Sequence, residues 1–164
     1  MLGNLSIKQL CFALALLCLT ALSLALVVQY ILLLEPCVLC MYQRYVYIVA
    51  FVISLVALCF KSLKLQRILL YCYTITIFAG SAIAFYHLGI EQSIFTEPLA
   101  CSAEIDKSAT ISIEDLRSQI YNNTAPRCSQ VSFKFIGVSM AGWNGIFSLV
   151  ISLLLLQHLR STKS

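Results

Sequence analysis

Four long apolar runs alternate with shorter polar segments along the chain. They cover roughly residues 10–34, 41–60, 68–88 and 141–157. A helix needs about 20 apolar residues to cross a bilayer, and all four runs fall near that length. The pattern therefore predicts an all-α membrane protein, a four-transmembrane-helix bundle with one long loop at residues 89–139.

Composition supports this prediction. Of the 164 residues, 60% are hydrophobic and only 11% are charged, whereas soluble domains carry about 25% charged residues. The first run is longer than the apolar core of a signal peptide, so we interpret it as a retained helix. We expect a single membrane domain over residues 1–164, with the lipid bilayer as its surroundings. No basic run interleaved with aromatic residues suggests a nucleic-acid partner.

The charges predict the orientation in the membrane. Six basic residues lie before the first run, between the second and third, and after the fourth: Lys8, Lys61, Lys64, Arg67, Arg160 and Lys163. All seven acidic residues lie on the opposite side. By the positive-inside rule, both termini are cytoplasmic and the 89–139 loop is external.

The eight cysteines divide according to the same map. Four lie within apolar runs, where cysteine usually behaves as a small hydrophobic residue: Cys11, Cys18, Cys59 and Cys72. The other four are external, where disulfides persist in an oxidising compartment: Cys37, Cys40, Cys101 and Cys128. A short amphipathic helix is predicted between the last two, at residues 112–120.

The Cys-x-x-Cys pair follows Pro36, which ends the first helix. If the next helix begins near Cys40, its first N–H groups face that sulfur, and Arg44 lies one turn further along the same face. Both features favour a thiolate. The pair closes almost no loop, so an exchange role suits it better than a structural one. A disulfide between Cys101 and Cys128 could have a purely structural role as a crosslink of the loop, which would stabilise the folded protein by about 3–4 kcal/mol.

Three polar residues near the external ends of the runs have two interpretations each. The first interpretation is an ordinary interfacial residue in each case. In the second, Gln29 contacts a ligand near the cysteine pair, Arg44 stabilises an anion or a polar cofactor group beside Cys40, and His87 has a quinone or proton-transfer role. We predict no metal site, because zinc favours close-spaced cysteine pairs, whereas 26 residues separate Cys101 from Cys128, and we assign no histidine as a partner to these four cysteines.

These motifs in this order resemble the DsbB family of bacterial disulfide bond formation proteins, the membrane oxidases of periplasmic DsbA. The resemblance covers about the whole chain and rests on Pro36-Cys37-Val38-Leu39-Cys40 with Arg44, Tyr86-His87, the loop pair, Phe135-Ile136-Gly137 and Met140-Ala141-Gly142-Trp143. It implies an inner-membrane protein-disulfide oxidoreductase whose external cysteines are periplasmic.

The resemblance also implies a mechanism. A DsbA-type thiolate would attack Cys101 in a Cys101–Cys128 disulfide, and the electrons would pass to the Cys37–Cys40 pair. Cys40, as a thiolate beside Arg44, would then engage a membrane quinone, either ubiquinone or menaquinone. Arg44 and His87 are expected to face that quinone, and Gln29 is a further candidate contact.

Two departures and three rival interpretations accompany this resemblance. Gln43 stands at a position that can carry an acid in the family, and Phe133 and Phe135 stand where tryptophan is expected. The rivals are a tetraspan scaffold with structural disulfides, a related oxidase with a dedicated partner, and a vitamin K epoxide reductase-like oxidase. In the last group the active pair is expected late in the bundle, whereas here it follows the first run.

Overall fold

The computed structural model describes residues 6–98, 127–129 and 134–161. This part of the chain contains four long helices, all long and apolar enough to cross a membrane: α1 (Ile7–Tyr30), α2 (Val38–Cys59), α3 (Leu63–Glu91) and α4 (Met140–Ser161). The predicted class, an all-α membrane protein with four spans, is confirmed. Cys101 and the helix predicted at residues 112–120 lie outside the described residues.

All four helices differ from the predicted bounds by a few residues, and two of these differences have a clear reason. Helix α1 ends at Tyr30, although the apolar run continues to residue 34, and Leu33 has a positive φ of 53°. Hydropathy marks apolar sequence but does not distinguish the last turn of a helix from an apolar connection. Helix α3 begins at Leu63 rather than near residue 68, because lysine and arginine are good helix formers and the helix continues past the apolar run.

Helix α3 is central, since it packs against both α2 and α4, while α1 packs mainly against α2. Gly80 lets α3 approach α2 closely, because a Cβ atom at this position would lie 2.7 Å from the Val46 Cγ1 atom. On the other side of α3, the Ser81 hydroxyl donates to the Gly145 carbonyl at 3.0 Å. Small residues and interhelical hydrogen bonds of this kind are typical of helix packing in membranes.

The cysteines of the apolar runs occupy two environments. Cys11 and Cys18 are buried in the bundle core, where the Cys18 sulfur lies 3.3 Å from the Tyr73 hydroxyl. Cys59 and Cys72 are exposed on the outer surface of the bundle. All four are free thiols.

A small β-hairpin precedes α4, which the sequence analysis did not predict. Strands β1 (Lys134–Phe135) and β2 (Val138–Ser139) are antiparallel. Both turn residues, Ile136 and Gly137, have positive φ, as in a type I′ turn. The Trp143 indole N–H donates to the Phe135 carbonyl at 2.9 Å, which ties the hairpin to the first turn of α4.

Candidate functional site

Helix α2 begins directly at the cysteine pair. Cys37 is its N-cap residue, and the Cys37 sulfur accepts the backbone N–H of Cys40 at 3.3 Å. The prediction that the first-turn N–H groups face Cys40 is therefore wrong. The helix starts at Val38, so its positive end is directed at the sulfur of Cys37 instead.

The two sulfurs of the pair are free and lie 3.0 Å apart. Cys37 is buried, with 5% of its surface exposed. The Cys40 thiol, the His87 ring and the Cys40 N–H lower the pKa of Cys37 from 9.0 to about 4, against the opposing effect of burial. In the reduced pair these contacts favour negative charge on the Cys37 sulfur.

His87 lies against this sulfur, although fifty positions separate the two residues in sequence. Its Nε2 atom is 3.5 Å from the Cys37 Sγ atom and 3.8 Å from Oε1 of Glu91, one turn further along α3. The side chain of His87 is buried. The Oε2 atom of Glu91 is also buried, and it has no hydrogen-bond partner among the described residues.

Cys128 completes the cluster from the loop side. It is fully buried and disulfide-bonded, and the sulfurs of Cys37 and Cys128 and a ring nitrogen of His87 all lie within 4.8 Å of one another. The Ser129 N–H donates to Oε1 of Glu97 at 2.8 Å and ties this segment to the connection that follows α3. The predicted pairing of Cys128 with Cys101 stays a prediction, because Cys101 lies outside the described residues.

The same three atoms could suggest a metal site, since two sulfurs and an imidazole are zinc ligands. Zinc binds thiolates, however, and the sulfur of Cys128 is held in a disulfide. In this state the cluster is instead a disulfide placed beside a thiol of low pKa, which is the arrangement that thiol–disulfide exchange requires.

Arg44 and Gln29 form a second group, on the α1 side of α2. The Arg44 guanidinium donates to the Gln29 side-chain oxygen and, at 3.2 Å, to the Ala25 carbonyl. The structure thus brings together two of the three predicted cofactor contacts and places the third, His87, with Cys37. These contacts join the outer part of α1 to the first turns of α2.

A chain of buried and half-buried polar side chains behind His87 was missed by the sequence analysis. The Gln43 amide nitrogen lies 3.2 Å from Nδ1 of His87, and the Gln43 oxygen accepts from Asn144 at 2.5 Å. The Tyr47 hydroxyl donates to the Asn144 oxygen at 2.5 Å and lies 3.0 Å from the Ser148 hydroxyl. The available signal was the occurrence of Gln43 and Asn144 within apolar runs, where unpaired amides are costly.

Comparisons with known proteins found a family model and a relative. The family model described as "Disulfide bond formation protein DsbB" matches residues 7–158. The uncharacterized protein RP370 of Rickettsia prowazekii (strain Madrid E) is 30% identical over 135 residues, covering 82% of this chain and 77% of that protein.

Proposed function

The chain belongs to the DsbB family of disulfide bond formation proteins, and from this premise we propose that it oxidises a DsbA-type dithiol protein and reduces a membrane quinone. Disulfide oxidoreductase activity is what the family implies; the two substrates are the proposed part. The observation that carries the proposal is the position of the Cys37 thiol within 4.8 Å of the Cys128 sulfur.

The first exchange involves the loop. A thiolate of the reduced partner attacks Cys101 in a Cys101–Cys128 disulfide, and Cys128 leaves as a thiolate. The second partner thiol resolves the mixed disulfide and departs oxidised. The loop now holds the two electrons as Cys101 and Cys128 thiols.

The second exchange passes these electrons inward. The Cys128 thiolate attacks Cys37 of a Cys37–Cys40 disulfide, and Cys40 leaves as a thiolate one helical turn from Arg44. Cys101 then attacks Cys128, which restores the loop disulfide and releases Cys37. The Cys40 N–H and the His87 ring stabilise the negative charge on the released Cys37 sulfur. Cys37 is therefore a good leaving group, because a thiol of low pKa leaves faster in exchange.

A quinone suits the other side of the pair. Quinones accept two electrons and two protons, which equals what the Cys37–Cys40 dithiol releases when it forms a disulfide. Arg44 and Gln29 provide a cation and an amide in a half-buried, apolar setting near Cys40, and such donors suit a carbonyl oxygen that gains negative charge. We expect these two residues to hold the quinone, which is either ubiquinone or menaquinone.

The proposed location is the bacterial inner membrane, with both termini cytoplasmic and the cysteine cluster periplasmic. Its support is the charge distribution, since the loops that would be cytoplasmic contain basic residues and no acidic ones. The periplasm is also the compartment in which a protein disulfide oxidase has substrates.

The test uses purified protein, added quinone and a reduced DsbA-type partner. Quinone absorbance and partner thiols are followed together for the native chain and for Cys40→Ser and Cys101→Ser. We expect stoichiometric quinone reduction that both substitutions abolish. Cys59→Ser, which removes an exposed thiol at the far end of the same helix, is the matched control and should retain full activity.

Cys101→Ser separates the two halves of the relay. This variant should still oxidise a small dithiol through Cys37 and Cys40, because only the partner-specific loop is disabled. A native protein that leaves quinone untouched while its disulfides stay intact would contradict the proposal. A tetraspan scaffold with structural disulfides would then be the better account of the chain.

A further inference from the structure

A continuous chain of buried and partly buried hydrogen bonds leads from α4 to the reactive sulfur. It starts at Tyr47 and Ser148, passes through Asn144 and Gln43, and ends at His87, whose other ring nitrogen faces Cys37. Three helices contribute to it. The oxidase chemistry proposed above uses only the last member, so the remaining links need an account of their own.

The donors and acceptors along this chain run in one direction. Two hydroxyls converge on the Asn144 oxygen, which accepts from both. The Asn144 amide nitrogen therefore points the other way and donates to the Gln43 oxygen. The Gln43 amide nitrogen is left facing Nδ1 of His87, and an amide nitrogen can only donate. Nδ1 must accept, so in a neutral imidazole the proton resides on Nε2.

We propose that Gln43 is a positioning residue that holds His87 in the Nε2–H tautomer, and that Asn144 and Tyr47 fix the orientation of Gln43. The Nε2–H group is then always directed at the Cys37 sulfur, where it donates to the thiolate that each exchange forms or releases. The benefit that we assign to this tautomer rests on the proposed function. The tautomer itself can be measured whether or not the protein is an active oxidase.

The surroundings of His87 explain why a fixed tautomer is useful. Besides Cys37, its Nε2 atom faces the carboxylate of Glu91 at 3.8 Å, and the ring also has a hydrogen bond with the backbone of Cys128. With the proton on Nδ1, the unprotonated Nε2 would present a lone pair to a thiolate and a carboxylate, and the contact would become repulsive. Gln43 prevents this outcome because its amide nitrogen occupies the Nδ1 side.

The tautomer can be read directly from ¹⁵N spectra of histidine-labelled protein in detergent. The chain has only two histidines, so His158→Gln leaves His87 as the single labelled ring. For the reduced protein near neutral pH we expect the Nε2–H pattern. Gln43→Leu should give a mixture of tautomers, and Asn144→Leu a smaller change in the same direction.

Gln66→Leu is the matched control, since Gln66 is also a buried glutamine but hydrogen-bonds to the Ala57 and Phe60 carbonyls at the end of α2 distant from Cys37. It should leave the tautomer unchanged. A second readout is the ultraviolet absorbance of the Cys37 thiolate across pH. Gln43→Leu should lower the apparent ionisation constant of Cys37 about tenfold, as expected for weakening one hydrogen bond to a charge.

An Nδ1–H pattern for His87 in the native protein would overturn the proposal. This measurement needs no substitution in the hydrogen-bond chain, so its outcome does not depend on whether a variant folds. An unchanged tautomer in a folded Gln43→Leu protein would overturn it as well. If quinone reduction fails while the Nε2–H pattern and its dependence on Gln43 hold, the oxidase proposal fails and the positioning of His87 stands.

Discussion

The most direct test of the site concerns how Cys40 stabilises charge on Cys37. We consider two substitutions, Cys40→Ala and Cys40→Ser, in a background in which Cys101 and Cys128 are alanine so that no exchange competes. Serine keeps a hydroxyl donor near the Cys37 sulfur, while alanine removes it. Both substitutions retain the backbone N–H of position 40, which donates to the same sulfur at 3.3 Å.

The expected magnitude follows from the contacts. The sulfurs of Cys37 and Cys40 are 3.0 Å apart, and the Cys40 thiol makes the largest contribution to lowering the pKa of Cys37 to about 4. Hydrogen bonds to charged groups contribute about 1.5–3 kcal/mol, and a change of one in pKa corresponds to 1.36 kcal/mol. Cys40→Ala should therefore raise the pKa of Cys37 by about one to two, and Cys40→Ser by less.

Thiolate absorbance in the ultraviolet is the appropriate assay, because the buried sulfur of Cys37 is poorly accessible to alkylating reagents. Each titration is corrected by subtracting the same variant with Cys37→Ala, which removes the signals of tyrosines and other thiols. Identical midpoints for Cys40→Ala and Cys40→Ser would refute the reasoning. If the Cys37 thiol of the protein with native Cys40 titrates with a midpoint near 9, its pKa is not lowered, and the assignment of the charge to Cys37 is refuted.

Three further predictions concern stability and exchange. Because the pKa of Cys37 is lowered from 9.0 to about 4, its ionisation stabilises the reduced protein fully above pH 9 and progressively less as pH falls towards 4; thermal unfolding across this range measures the loss. Gly80→Ala should destabilise the bundle by about 1–3 kcal/mol through overpacking, measured by thermal unfolding in detergent. Glu97→Ala removes the acceptor of the Ser129 N–H, so it should slow electron transfer from Cys128 to Cys37 in stopped-flow assays.

Each of these predictions has a control. Cys37→Ala should remove the contribution of the Cys37 thiol to the pH dependence of thermal stability. If the pH dependence of stability is unchanged in that variant, other titrating groups cause it. Adding Val46→Ala should restore part of the stability lost in Gly80→Ala, because it removes the clashing methyl groups. Glu35→Ala changes another acid at the same end of the bundle; equal slowing in both variants would indicate a general charge effect.

The sequence predicted the four helices because crossing a membrane imposes a length and an apolar composition that are visible residue by residue. It also identified the cysteines, Arg44, Gln29 and His87 as candidates, since each is polar or reactive at the end of an apolar run. The contact between Arg44 and Gln29 confirms that they are neighbours. Their role toward a quinone stays a prediction.

Other features depend on the exact position where a helix begins. Starting α2 at Val38 rather than near Cys40 moves the N-cap from one sulfur to the other, and hydropathy cannot resolve a shift of that size.

The links among His87, Gln43 and Asn144 join three helices across as many as 101 positions. A single sequence shows that such polar residues need partners, but not which ones they find. The hairpin at Ile136 escaped prediction because a β-branched residue is unusual in left-handed backbone.

The hydrogen bond between Asn144 and Gln43 has a consequence for how the protein is made. Helix α4 is synthesised after the other three described helices, and it must leave the translocation channel with an asparagine near its N-terminal end. In lipid the nitrogen of that amide has no partner, whereas beside α2 it donates to Gln43. Stable insertion of α4 is therefore coupled to its docking on helices already in place, because interhelical hydrogen bonds supply the partner that lipid does not. A mutation at Gln43 would then act during biogenesis as well as in the finished enzyme, and would appear as poor membrane integration of α4.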